Sequence, residues 1–146
     1  MKIAIASDHK GYTLKENLKK ELTKEYEIID LGTTSTKSVD YPEYGIKLGK
    51  TILENKETLG IAICGTGIGM SIILNKIKGI MCAKISNQEE ALLAKEHNNA
   101  NVIALSSTIP IQTALEMIKT FIKAKPLQEE KYQRRIKQIK DYENAR

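Results

Sequence analysis

The chain has 146 residues, 41% apolar and 28% charged, with a formal net charge of +5, an ordinary mix for one globular domain with a sizeable core. No apolar run approaches the about 18 residues of a membrane span, and two cysteines are too few for a disulfide scaffold. The basic balance does not imply nucleic-acid binding, because 20 of the 23 basic residues are lysines scattered along helical segments and the three arginines, Arg134, Arg135 and Arg146, lie near the end.

The first apolar run, KIAIAS (2–7), predicts a strand. Its apolar segment is too short for a signal peptide, so a cytoplasmic location is expected. Ser7, Asp8 and His9 close it, and Leu14, Leu18 and Leu22 at four-residue spacing predict a helix. YEIIDL (26–31) predicts the second strand, followed by the polar stretch Thr33 to Tyr41. Pro42 suits the first turn of a helix carrying Tyr44, Leu48 and Ile52. LGIAIC (59–64) predicts a third strand that ends in Cys64 and runs into Gly65, Gly67 and Gly69. GIMCAKI (79–85) predicts the fourth. Ser86 with Glu89 reads as a capping box opening a helix through Glu96, with His97 and Asn98 at its end. NVIALS (101–106) predicts the fifth strand, leading to Ser106, Ser107 and Thr108. Pro110 opens a helix marked by Ile111, Leu115, Ile118 and Ile122. The final segment, QEEKYQRRIKQIKDYENAR, predicts a mostly polar helix with a thin stripe of Tyr132, Ile136 and Ile139.

Strands alternating with helices predict a single three-layer α/β domain over residues 1–146, with a doubly wound five-stranded parallel sheet of the Rossmann or flavodoxin kind. Residues 127–146 are expected to be a helical extension that docks on a second subunit at a dimer interface. In such sheets ligands bind beyond the carboxyl ends of the strands. That edge gathers Ser7 to His9, Thr33 to Tyr41, Cys64 to Gly69 and Ser106 to Thr108.

GTGIG lacks the G-x-G-x-x-G spacing of the dinucleotide fingerprint, and no Gly-Lys-Ser/Thr follows it, so neither a nucleotide cofactor nor a P-loop is expected. No His/Cys/Asp set has metal-ligand spacing, so no metal is expected. What remains is a turn whose backbone N–H groups, from Gly65 through Thr66, Gly67 and Ile68 to Gly69, converge at a helix start. Such a turn holds an anion: a bound phosphate, or an oxyanion formed during reaction. Cys64 beside it can act as a nucleophile, with His9 as its base, or as a general base on carbon next to a carbonyl. The residues alone leave both open. Taken singly, Cys82 reads as a small buried apolar residue, His97 as a cation at a helix C-terminus and Asp8 as a helix cap.

SDHKGYTLK, DYPEYG, ICGTGIGMSIILNKIKGI and KEHNNANVIAL, in this order and spacing, resemble type B ribose-5-phosphate isomerase, a family that includes the subunits of galactose-6-phosphate isomerase. The resemblance runs from residue 2 to about residue 123, with a looser tail. It implies interconversion of D-ribose 5-phosphate and D-ribulose 5-phosphate, in the pentose phosphate pathway, with no metal or cofactor. It implies that Cys64 is the base, that Gly65 to Gly69 hold the enediolate and that Thr66 assists at the sugar oxygens. Asp8, His9 and Tyr41 would bind the sugar and its phosphate end. His97 would donate the proton that opens the furanose ring, and Asn98 would hold a hydroxyl.

Two regions depart from the family pattern. Thr108 stands where the family usually carries an arginine, and the tail motif Gly-Gly-Arg-His-x-x-Arg reads EEKYQRR here. Lys131 and Arg135 are expected to carry phosphate binding, with Arg134 compensating. The alternatives are a phosphohexose isomerase acting on allose 6-phosphate or galactose 6-phosphate, and a non-catalytic sugar-phosphate-binding module. HNNANV favours the pentose, and the intact Cys64, Thr66 and His97 favour an enzyme.

Chain direction adds an expectation of its own. Cys64 leaves its strand at the upper edge, whereas His97 and Asn98 end a helix that has run back to the lower edge. Five strand residues at about 3.3 Å each separate these edges by roughly 16 Å. A homodimer, or a dimer of dimers, with sites shared between subunits is therefore expected.

Overall fold

The computed structural model describes residues 1–146. Five strands form one parallel sheet: β1 (Lys2–Ser7), β2 (Glu27–Asp30), β3 (Leu59–Cys64), β4 (Cys82–Lys84) and β5 (Val102–Ser106). Their order across the sheet is β2-β1-β3-β5-β4. The flavodoxin-like order exchanges the last two. Here the last strand inserts beside β3, and β4 is left at the edge with β5 as its one neighbour. Six helices connect and follow the strands: α1 (Tyr12–Leu22), α2 (Tyr41–Glu54), α3 (Ile68–Asn75), α4 (Gln88–Glu96), α5 (Ile111–Lys123) and α6 (Glu130–Asn144). No helix is long and apolar enough to cross a membrane.

The period-2 alternation of the strands sorts their side chains by size. Ile3, Ile5, Ile61, Ile63, Ile103 and Leu105 face α1, α4 and α5, where they meet Leu18, Ala91, Ile118 and Phe121. Burying one such side chain contributes about 1.5–3 kcal/mol. The other face carries Ala4, Ala6, Ala62, Cys64 and Ala104, packed under Leu48 and Ile52 of α2 and Met70 and Leu74 of α3. Cys64 therefore ends a row of small residues, beneath the helix that begins at the glycine turn.

Three sequence expectations change in detail. β4 is limited to Cys82–Lys84, and the chain before it is held both by side chains and by the Met81 carbonyl, which accepts from the Asn101 and Val102 N–H groups. Asn101 Oδ1 accepts from the Met81 N–H at 2.8 Å and its amide donates to the Gly79 carbonyl, while Asn75 brackets Cys82 in the same way. The cap of α4 sits one residue later than the Ser86–Glu89 box. Asn87 Oδ1 accepts from the Glu90 N–H at 2.8 Å, and the Glu90 carboxylate accepts from the N–H and hydroxyl of Ser86. In α6, Ile136 is buried and Ile139 is exposed, so the stripe narrows to one anchor besides Tyr132.

Candidate active site

The upper edge is built from the ends of three adjacent strands. β1 ends at Ser7, and its pairing with β3 places the next residue, Asp8, beside the Ile63 carbonyl, to which the Asp8 N–H donates at 3.2 Å. The Asp8 carboxylate accepts from the Gly11 N–H at 3.0 Å. It thus caps the turn into α1, and its second oxygen remains available as an acceptor. His9 Nδ1 lies 3.1 Å from both the amide nitrogen and the carbonyl oxygen of Val39, which seats the imidazole against the loop before α2.

Cys64 is only 3% exposed, at the floor of this edge. The glycine turn closes over it for two steric reasons. Gly67 has φ +80°, and a Cβ there would stand 3.0 Å from the Leu105 carbonyl carbon, backbone against backbone. A Cβ on Gly69 would stand 2.6 Å from the Tyr41 ring, so its absence lets that ring lie on the first turn of α3. The Thr66 hydroxyl accepts from the Ile68 N–H at 3.1 Å, which leaves its own proton free to donate. The N–H groups of Gly69 and Met70, in the first turn of α3, have no partner within the helix.

The loop after β5 braces the turn from the other side. Ser106 Oγ donates to the Gly65 carbonyl at 2.8 Å, and the Ser107 N–H donates to the Cys64 carbonyl at 2.9 Å. Thr108 Oγ1 lies 2.7 Å from Ser106 Oγ, so this threonine belongs to the brace. One cation that sequence reasoning passed over stands at the mouth: the Lys10 ammonium lies 3.8 Å from where a Gly65 Cβ would be. Its position directly after His9 was the available signal.

The remaining expected site residues lie at the opposite edge. His97 is the C-cap of α4, and the chain reaches the start of β5 within a few residues, where the Asn101 carbonyl accepts from the Gly60 N–H at the base of β3. Asn98 lines a small cavity with Asn75, Met81 and Cys82, also at that base. Lys131 and Arg135 are exposed on α6, and Arg134 is paired with Glu130 of the same helix. Within one chain, then, Asp8, His9, Tyr41 and Cys64 to Gly69 come together, and His97, Asn98, Lys131 and Arg135 do not join them.

The family model for Ribose/Galactose Isomerase matches residues 3–139. The chain belongs to the ribose/galactose isomerase family. Ribose-5-phosphate isomerase B of Escherichia coli is 37% identical over 124 residues, which cover 84% of this chain and 81% of that protein. The structure of ribose-5-phosphate isomerase B from Clostridium thermocellum superposes with a TM-score of 0.94 at 40% identity, covering 99% of both chains. A crystal structure of the Mycoplasma genitalium ribose-5-phosphate isomerase B with bound ribulose 5-phosphate gives 0.92 at 37% identity, covering 99% of this chain and 97% of that one. Membership of the ribose/galactose isomerases makes this chain an isomerase, and the match extends into α6, past the point where the motif resemblance loosens.

The two cysteines of this isomerase stand in different surroundings. Cys64 is buried, whereas Cys82 is half-buried and not the fully buried residue expected from the sequence; loss of water around its thiol still pushes it up to about 12. At about pH 8 it is almost wholly protonated and unreactive. Cys82→Ala is therefore expected to keep full activity, and iodoacetamide should leave Cys82 unmodified in the native protein by peptide mass spectrometry. Rapid alkylation of Cys82 before unfolding would contradict this.

Proposed function

We propose that the protein interconverts D-ribose 5-phosphate and D-ribulose 5-phosphate, with Cys64 as the base. The observation that carries this reading is the placement of a desolvated thiol at the end of β3, directly under the glycine turn that opens α3. The Cys64 thiolate takes the proton from carbon 2 of the open-chain aldose. The bond electrons form the carbon 1–carbon 2 double bond, and the charge moves to the carbonyl oxygen. Backbone N–H groups of the turn and the positive end of α3 hold that oxygen. A proton passes from the carbon 2 hydroxyl to the carbon 1 oxygen, and return of the abstracted proton from Cys64 to carbon 1 then leaves the carbonyl at carbon 2, the ketose. The Thr66 hydroxyl donates to a sugar oxygen, and the free oxygen of Asp8 accepts from a hydroxyl. His9 and Lys10 face the phosphate end, with Lys10 supplying a positive charge that Thr108 lacks.

Ring opening is assigned to His97 of the partner subunit, with Asn98, Lys131 and Arg135 contributed by the same partner. Two facts support a shared site: the separation of the two edges, and the apolar surface beside the turn, where Ile68 is 52% and Ile72 is 56% exposed. Large apolar side chains adjoining a polar site suit a subunit contact. The place of this reaction is the cytoplasm, in pentose phosphate metabolism.

The test is a coupled assay on ribose 5-phosphate, run beside allose 6-phosphate and galactose 6-phosphate and repeated with chelator. The expected result is turnover of the pentose, at least tenfold higher kcat/KM than either hexose (about 1.4 kcal/mol of discrimination), and no effect of chelator. Preference for a hexose phosphate would assign a different substrate. Tight binding of the sugar phosphate without turnover would leave a binding module.

A further inference from the structure

The imidazole of His97 is packed against the tail of its own chain. The Tyr132 ring lies on it, with centroids 4.3 Å apart and planes inclined by 14°. The Lys131 ammonium lies 5.0 Å from the centroid of that same phenol ring. Two further ties bring α6 to this place. The Leu127 N–H donates to the Glu96 carbonyl at 2.9 Å, and Ile136, one turn beyond Tyr132, is buried. Imidazole, phenol and ammonium thus form one packed group where the end of α4 meets the start of α6.

We propose that Tyr132 is a positioning residue: its ring fixes the orientation of the His97 imidazole and keeps it in register with Lys131 and Arg135, so that the proton donor and the tail cations reach the partner's site as one unit. This rests on the ring-opening role given to His97 above. The physical need is clear from the local backbone. His97 ends α4, and Asn98 and Asn99 after it are exposed, with Asn99 at φ +48°. An imidazole on such a helix end turns about two side-chain bonds, and the stacked ring restricts both. The cation beside the phenol face adds to the same arrangement. Tyr132 has no contact with the reacting atoms in this scheme. It acts through His97, at a position where the family motif usually has histidine.

Tyr132→Leu removes the ring at similar bulk, and Tyr132→Phe keeps it. The protein has two histidines, so the His97 ring protons are assigned in an NMR spectrum by their loss in His97→Ala. The expected spectrum shows these protons shifted upfield by the stacked ring in the wild type and in Tyr132→Phe, and at ordinary positions in Tyr132→Leu. Turnover of ribose 5-phosphate should fall by roughly 2- to 10-fold in Tyr132→Leu and return in Tyr132→Phe. Thermal melting of both variants checks that they fold. An identical His97 spectrum in Tyr132→Leu overturns the proposal, and so does normal turnover in that variant once its spectrum has changed. A wild-type protein inactive on ribose 5-phosphate would instead remove the functional reading. The His97 spectrum then decides by itself: a change in Tyr132→Leu upholds the positioning, and constancy overturns it.

Discussion

Replacing Cys64 with alanine is expected to lower turnover of ribose 5-phosphate by about 10²- to 10⁴-fold, the usual contribution of a positioned general base. The loss should fall on kcat, with the Michaelis constant changed little. In the proposed mechanism the thiolate acts on the proton in transit, whereas the turn N–H groups and the cations also hold the ground state. Structural damage is not the cause to expect. Cys64 ends a row of alanines, Ala4, Ala6, Ala62 and Ala104, on the face covered by α2 and α3, so alanine matches the packing around it. An unchanged melting temperature beside a collapsed kcat is the predicted pair of measurements. Near-normal turnover in Cys64→Ala would show that the thiol is not the base and that the turn serves some other anion.

The second large effect is a recovery of activity from two inactive parents. Cys64→Ala and His97→Ala are each expected to be nearly inactive. Unfolded together and refolded, chains pairing at random make about half of the dimers mixed. Each mixed dimer has one site with an undamaged Cys64 and an undamaged His97 of the partner subunit, so activity should return to roughly a quarter of wild type. The expectation follows from the parallel sheet. β3 pairs with β5 so that Cys64 sits opposite Ser106 and Gly60 opposite Val102. His97 lies five residues before Val102, in a segment folded back on the end of α4 by the Asn99 and Ala100 N–H groups, so the length of the strand, roughly 13–16 Å at about 3.3 Å per residue, lies between it and the thiol of its own chain. Ile68 and Ile72, exposed beside the turn, mark where a second copy would pack. Confirmed mixed dimers without recovered activity would place each site within a single chain and would require His97 to act elsewhere.

The local signals in this sequence were strong where the chemistry is local. Cys64 and the three glycines are contiguous with an apolar strand, so both the thiol and the turn proposed to hold an anion can be read from one short stretch. The same holds for Asp8, whose capping of the turn at Gly11 spans three residues. The periods of four in α1 and α2 and of two in the strands reflect which faces are buried, and that pattern is written residue by residue. Chain direction alone was enough to put Cys64 and His97 at opposite edges.

Other features depend on contacts between distant segments. The insertion of β5 between β3 and β4 sets the sheet order, and no periodicity encodes which strand neighbours which. It is that insertion which brings Ser106 and Ser107 onto the backbone of Cys64 and Gly65. Val39 meets His9 across 30 residues of chain, and Tyr132 meets His97 only because α6 folds back past the end of α4. Lys10 becomes a neighbour of Gly65 because β1 and β3 lie side by side. Composition, periodicity and the glycine turn therefore determined the fold class and the chemistry on offer. Tertiary packing alone decided strand order, the bracing of the turn and the partner of His97, because those follow from side-chain complementarity between segments far apart in the chain, which a one-dimensional pattern does not record.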